Sequence, residues 1–219
     1  MKPYYQDDAV TLYCGDCREI MPTLGRFDLL LTDPPYGINA EQFRSTLPDS
    51  KGACFIDKIS GDHSTELAEF VIDWLPVDHP AVIWGANNFP ELLPHKGRWL
   101  CWDKRLTEPA DKMLGSAFEL AWENRKSGFD AMLRVLHGGV VNADGGKRFH
   151  PTQKPVTLFR KVLGRYAKAE TILDPFAGSG TTGVAAKLEG RKATLIELDE
   201  RYCEIAAKRL EQQVFEFGE

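Results

Sequence analysis

Apolar positions along this chain come in short runs separated by polar stretches. Residues 10–15 and 27–32 are short and nearly continuous in apolar character, the pattern of strands buried on both faces, and residues 17–24 between them read as a helix. Strand, helix and strand in that order predict a βαβ unit with parallel pairing. Further along, residues 63–75 read as a helix, 81–85 as a strand, and 98–102 and 118–122 as two more strands. Residues 155–167 predict a helix that opens on Pro155, where a missing N–H does no harm. Residues 171–174 then form a short apolar strand that runs through a glycine turn into a helix. A strand over 191–198 and a helix over 200–213 complete the pattern. Alternation of this kind predicts a three-layer α/β domain with a mostly parallel sheet. No repeat or low-complexity tract interrupts it.

The strand over 27–32 ends in Asp33-Pro34-Pro35-Tyr36. Proline fixes its own φ, has no N–H and pushes the preceding residue into an extended conformation, so Asp33 and Pro34 are denied a helical exit from the strand and their carbonyls point outward. A carboxylate, two stiff carbonyls and an aromatic ring can together grip a flat base that carries an amine. An exocyclic amine has two N–H donors and a lone pair delocalised into the ring. If the Asp33 carboxylate and the Pro34 carbonyl accept those two bonds, the nitrogen is drawn toward a tetrahedral shape and its lone pair is freed, while Tyr36 stacks on the base. A plain Pro-rich turn after a buried strand would also account for the tetrapeptide taken alone.

A second chemical signal is the turn after residues 171–174, Asp174-Pro175-Phe176-Ala177-Gly178-Ser179-Gly180-Thr181-Thr182. Gly178 and Gly180 permit positive φ and close backbone approach, and the N–H groups at the following helix start suit a polar or anionic ligand. The turn lacks the lysine of a phosphate-binding loop and does not complete the dinucleotide fingerprint, which disfavours a nucleoside triphosphate or NAD. Glu197, at the end of the next strand, lies at the spacing expected of a carboxylate that binds ribose hydroxyls. A solvated strand end is the bland alternative.

With these motifs in that order the chain resembles the S-adenosylmethionine-dependent amino-methyltransferases of DNA, in the arrangement called the beta class. Asp33-Pro34-Pro35-Tyr36 is similar to the family's catalytic motif, and residues 174–182 to its cofactor loop. His150-Pro151-Thr152-Gln153-Lys154-Pro155 is similar to the segment before that loop. The resemblance implies a Rossmann-like methyltransferase fold, a seven-stranded sheet with one antiparallel strand near an edge. It also implies that Asp174, Phe176, Gly178, Ser179, Gly180, Thr181 and Thr182 surround the methionine part of the cofactor and that Glu197 binds its ribose. Gly15-Asp16 would approach the cofactor adenine, and Thr152 and Lys154 its carboxylate. Methyltransferases of protein glutamine and ribosomal RNA that carry an Asn-Pro-Pro-Tyr motif have the glycine loop upstream of it, whereas here it lies downstream.

Composition bounds the picture without changing it. The 219 residues, 43% hydrophobic and 27% charged, suffice for one sizeable core, so residues 1–219 are expected to form a single catalytic domain, with 38–62 and 107–150 as loops or short target-recognition inserts. The polar start does not resemble a signal peptide and no apolar stretch is long enough to cross a bilayer, so the expected location is the cytoplasm. Five cysteines do not suggest a disulfide framework, and the Cys14–Cys17 spacing, without a second pair or nearby histidines, reads as two small, partly buried residues; no metal is expected. Oligomeric state is left open, with a homodimer admitted.

Charge is the main objection to a DNA partner, because a net charge of −5 and a pI near 5.6 are unusual for a nucleic-acid binder. Its distribution answers in part. Lys96, Arg98, Lys104 and Arg105 form one basic group and Arg125, Lys126, Arg134, Lys147 and Arg148 a second, and of these Lys104, Arg105, Arg134, Lys147 and Arg148 are the candidate phosphate contacts. Ordinary solvated surface is the alternative for each, and for the tryptophans 84, 99, 102 and 122 core or rim packing is favoured over base stacking. The expected reaction is direct methyl transfer to the N6 amine of a flipped adenine, with none of the five histidines needed as a base. Transfer to N4 of cytosine, and a catalytically silent DNA- or cofactor-binding module, are the rivals. Aspartate rather than serine at position 33 favours adenine by resemblance alone.

Overall fold

The computed structural model of the protein describes residues 1–38, 62–94, 96–105, 116–125, 128–138, 141–142 and 153–212. In chain order its strands are β1 (Tyr5–Gln6), β2 (Val10–Cys14), β3 (Leu29–Thr32), β4 (Ala81–Trp84), β5 (Arg98–Asp103), β6 (Phe118–Glu123), β7 (Ala131–Arg134), β8 (His137–Gly138), β9 (Val141–Asn142), β10 (Thr171–Asp174) and β11 (Lys192–Glu197). Its α-helices are α1 (Cys17–Ile20), α2 (Glu66–Trp74), α3 (Val156–Arg165), α4 (Thr181–Leu188) and α5 (Glu200–Glu211). The chain divides into two compact units, Met1–Thr32 with Lys154–Glu219, and Asp33–Gln153.

In the first unit the strand order is β1-β2-β11-β10-β3, parallel throughout except for β1. Leu29, Leu30 and Leu31 are fully buried, which is why this run is apolar at every position instead of alternating. The register sets Ile172 beside Leu29, Asp174 beside Leu195 and Glu197 beside Cys14, so the carboxyl ends of four strands share one edge. In open α/β sheets this edge is where ligands bind. Helix α5 buries Tyr202, Cys203, Ala206 and Leu210, a stripe at helical spacing, and α3 buries Val156, Leu158, Phe159, Val162 and Leu163. Helix α4 lies so close to its neighbours that a Cβ on Gly183 would come within 2.8 Å of Leu195 Cδ1 and 2.9 Å of Leu210 Cδ2. The amino end of the chain is fastened by Asp7, which accepts hydrogen bonds from Val10 N at 2.7 Å, Tyr5 Oη at 2.7 Å and Lys187 Nζ at 2.7 Å. Burial alone would raise the Asp7 carboxyl, but Lys187 and Tyr5 outweigh it and hold the group well below the usual carboxylate range.

The second unit has strand order β4-β6-β5-β7, with β6 antiparallel to both neighbours and β7 parallel to β5. Its core is aromatic. The Trp84 and Trp102 rings meet edge to face at 6.2 Å, and Trp102 Nε1 donates to the Val135 carbonyl at 2.9 Å. Trp84, Trp102 and Trp122 are buried, as packing rather than base stacking requires. Strands β8 and β9 form a separate antiparallel ribbon.

Two expectations need correction. Among the described residues the main sheet has five strands in the first unit and four in the second, more than the seven expected, and β1 as well as β6 runs antiparallel to its neighbours. Tyr5–Gln6 is too short, and the half-exposed Ala131–Arg134 too irregular, to stand out as apolar runs. The helix expected over 17–24 is α-helical only to Ile20 and continues as a 3-10 turn, Met21–Thr23, because Pro22 has no N–H for an α-helical bond. Within 107–150 the described residues include β6, where a strand was expected over 118–122, together with β7, β8 and β9; of the segment 38–62, expected as the other insert, residues 39–61 lie outside the described residues. Among the described residues no helix is long and apolar enough to cross a membrane.

Candidate functional site

In the first unit the glycine turn between β10 and α4 is tied down by two carboxylates. Asp174, 3% exposed, accepts from Thr32 Oγ1 at 2.8 Å, from Phe176 N at 3.1 Å and from the Thr182 hydroxyl. The last residue of β3 and the first turn of α4 are thereby locked to the end of β10. Glu197 accepts from Gly178 N and from Asp199 N, each at 2.8 Å, one on each oxygen. Burial raises the Glu197 carboxyl, and these two backbone bonds pull it part of the way back. Gly178 and Gly180 have φ of 51° and 80°, the left-handed region that glycine enters without strain, and a Cβ on Gly180 would lie 3.0 Å from Ala206 Cβ. Arg209, from α5, donates to the Ser179 carbonyl at 2.5 Å and to Ser179 Oγ at 2.9 Å, bracing the turn from outside. At the end of β2, Asp16 caps α1 by accepting from Arg18 N at 2.9 Å and pairs with the Arg18 guanidinium at 2.6 Å, which holds its carboxyl below the usual range. Lys154 is buried, and its carbonyl accepts from Thr181 Oγ1 at 3.4 Å.

In the second unit the chain leaves β3 through Asp33-Pro34-Pro35-Tyr36. Tyr36 Oη donates to Asp33 Oδ1 at 2.5 Å, closing the tetrapeptide on itself. Burial, and then the charge of Asp33, push the Tyr36 phenol well above its ordinary range, so it stays protonated and remains a donor. The Tyr36 and Gly37 amides both donate to Asp62 Oδ1, each at 3.1 Å, and the Tyr36 ring lies against Gly85.

Asp16, Asp174, Phe176, Gly178, Ser179, Gly180, Thr181, Thr182 and Glu197 all fall at the shared carboxyl edge of the first unit or in the turn beside it. Thr152, Lys147 and Arg148 lie outside the described residues. Lys104 pairs with Glu119 and sits 4.9 Å over the Trp102 ring, and Arg105 is only 5% exposed, so neither presents its charge outward. The Trp102 ring and Glu119 draw Lys104 inward, a preference that local charge counting does not register. Arg134 has a side chain 66% exposed and 3.5 Å from Asp103. Sequence reasoning missed Thr32, Asp62, Gly85, Asp199 and Arg209. Only Asp199 carried a usable signal, an acid immediately before a helical run, where it accepts from Arg201 N at 2.9 Å as a cap.

Residues 88–208, more than half of the chain, match the sequence profile of the N6/N4 methyltransferase family, described as DNA methylase. The chain belongs to this DNA methylase family. The methylase is 31% identical over 206 residues to the methylase-family protein YubD of Escherichia coli (strain K12), a match covering 90% of this chain and 88% of that one. It is also similar in fold to M1.HpyAVI, solved as a complex with SAM, at TM-score 0.54 and 21% identity over 92% of this chain and 99% of that one. PvuII DNA methyltransferase, which is cytosine-N4-specific, is similar at TM-score 0.60 and 17% identity over 97% of this chain and 90% of that one. Both structural likenesses concern the fold alone. The Asp33–Tyr36 tetrapeptide lies upstream of the residues matched by the family profile.

Proposed function

We propose that this DNA methylase transfers a methyl group from S-adenosylmethionine to the N6 amine of an adenine flipped out of the stack. The observation that carries the reading is the Asp33 carboxylate, bonded to the Tyr36 hydroxyl in a Pro-Pro turn directly after Thr32, which is itself bonded to Asp174 at the head of the glycine turn.

The first unit's residues fit the cofactor. A carboxylate oxygen has two lone pairs, so the Glu197 oxygens that each accept one backbone N–H retain capacity for ribose hydroxyls. Gly178 and Gly180 offer backbone without side chains, and the turn over residues 174–182 would surround the methionine part. Asp16 would lie by the adenine, and Lys154 with Thr152 would answer the carboxylate. When bound, the cofactor supplies a methyl group made electrophilic by its sulfonium. Asp33 and the Pro34 carbonyl accept the two N–H bonds of the amine, free its lone pair and stand where positive charge develops. Pro35 stiffens the turn, and the Tyr36 ring holds the flipped base. A proton leaves to Asp33 or to water after transfer.

The test is incubation of unmethylated DNA with labelled cofactor, followed by identification of the modified nucleoside. N6-methyladenine is the expected product; N4-methylcytosine would reassign the base, and no product in either nucleoside would sink the reading.

Gly180→Val should weaken S-adenosylmethionine binding, because a branched side chain strains the left-handed backbone and drives into Ala206. Titration calorimetry on the folded variant checks this, and unchanged affinity would remove the cofactor from this turn.

DNA affinity should fall steeply with salt, given the few residues available to reach base edges. Neutralising Arg134, Lys147 and Arg148 together should make the log-log slope shallower by up to about three units, at about 0.9 for each phosphate that the variant leaves to its counterions. The measurement is affinity against salt for wild type and triple alanine variant. Equal slopes would place the DNA-backbone-binding surface elsewhere.

A further inference from the structure

We propose that Asp62 and Gly85 are positioning residues for the Asp33–Tyr36 pair, holding its two groups in the geometry that the methyl-transfer reaction requires. The inference rests on the reading of Asp33 as the acceptor for the target amine. Prolines at 34 and 35 remove two N–H groups from the turn, so the next two, on Tyr36 and Gly37, are the backbone's first opportunity to anchor it. Both go to one oxygen of Asp62, at 3.1 Å each, and Asp62 is 7% exposed. A carboxylate remote in sequence thereby fixes the peptide planes on the far side of the tetrapeptide. Gly37 follows at φ 72°, a conformation that turns the chain away immediately after the anchor.

Gly85 acts from the side of the ring. Its φ is 68°, and a Cβ there would lie 1.9 Å from Tyr36 Cε1 and 2.2 Å from Cζ, so only a hydrogen leaves room for the phenol. Gly85 is itself held, because its N–H donates to the Leu120 carbonyl on β6 at 2.9 Å. The ring therefore rests on backbone that the sheet fixes in place, and its hydroxyl reaches Asp33 from that seat. Loss of either support moves the acceptor while leaving the glycine turn of the other unit unchanged in sequence.

The experiment measures kcat, KM for DNA and cofactor affinity in Asp62→Ala, Asp62→Asn and Gly85→Ala, with Asp33→Ala as the control that lacks the acceptor. Asp62→Ala should lower kcat by about a hundredfold, the effect of a misplacement near 1 Å, with cofactor affinity unchanged. Asp62→Asn keeps an oxygen for both amides and should restore most of kcat. Gly85→Ala should lower kcat in the wild-type background and add little in a Tyr36→Ala background, where the obstructed ring is gone. This cycle reads the inference even if Asp62→Ala does not fold. Wild-type kcat in Asp62→Ala or Gly85→Ala, equal loss in Asp62→Ala and Asp62→Asn, or an undiminished Gly85→Ala effect without the ring would each overturn it. A wild-type protein that methylates no DNA would instead overturn the functional reading on which it depends.

Discussion

Asp33→Ala is expected to lower methyl transfer by a hundred- to a thousandfold while the protein stays folded and keeps its cofactor. The magnitude is that of removing one fixed acceptor from a site where charge develops, about 3–4 kcal/mol of transition-state stabilisation. The reason for a selective effect is structural. Asp33 is half-buried, and its carboxylate accepts from Tyr36, three residues away in the same turn, a contact local to the tetrapeptide. Single-turnover kinetics separate the chemical step from binding. A folded variant that binds cofactor and DNA and turns over near the wild-type rate would show that Asp33 does not hold the amine. Asp33→Asn is a useful companion, since it keeps one oxygen and adds an N–H where the amine should donate. Turnover well below wild type in that variant would point to the charge as well as the acceptor.

Asp174→Ala should be the most damaging change to stability at the glycine turn. Its carboxylate receives the Thr32 hydroxyl, the Phe176 amide and the Thr182 hydroxyl in a place 3% exposed to solvent. Alanine would strand three donors at once, and each buried donor left without a partner costs about 1–3 kcal/mol. The hydroxyls can turn toward other acceptors, so a total of about 3 kcal/mol is expected rather than the sum. Because Thr32 immediately precedes Asp33, the loss should also reduce turnover beyond its effect on cofactor affinity. Denaturant unfolding gives the first quantity, and calorimetry with kinetics gives the others. Asp174→Asn, which retains an acceptor oxygen, should be markedly milder. A stability change under about 0.5 kcal/mol, the range of an ordinary surface substitution, would show that the carboxylate does not organise the turn.

The sequence by itself determined the features whose physics is local. Proline at 34 and 35 forbids a helical exit wherever the chain happens to sit, and glycine at 178 and 180 allows a left-handed turn before any neighbour is known; both are observed. Short apolar runs such as 29–31 and 172–173 announce strands covered on both faces, and they emerge in adjacent parallel strands. Short or half-exposed strands were not legible, because Tyr5–Gln6 and Ala131–Arg134 owe their conformation to the partner they pair with rather than to a pattern of their own. The same divide runs through the candidate site. Tyr36 and Asp33 are three residues apart, so their meeting depends on one turn. Asp62 meets Tyr36 across 26 positions and Arg209 meets Ser179 across 30. Nothing in an isolated aspartate or arginine tells which amide or carbonyl the fold will bring to it. Charge was the least legible property of all. Lys104 and Arg105 stand side by side in the sequence like a surface patch, yet Glu119 and the Trp102 ring draw Lys104 in and Arg105 is buried. An ionic side chain goes where its aliphatic stem can pack and its charge can be answered, and both conditions are set by residues that only the tertiary structure brings near.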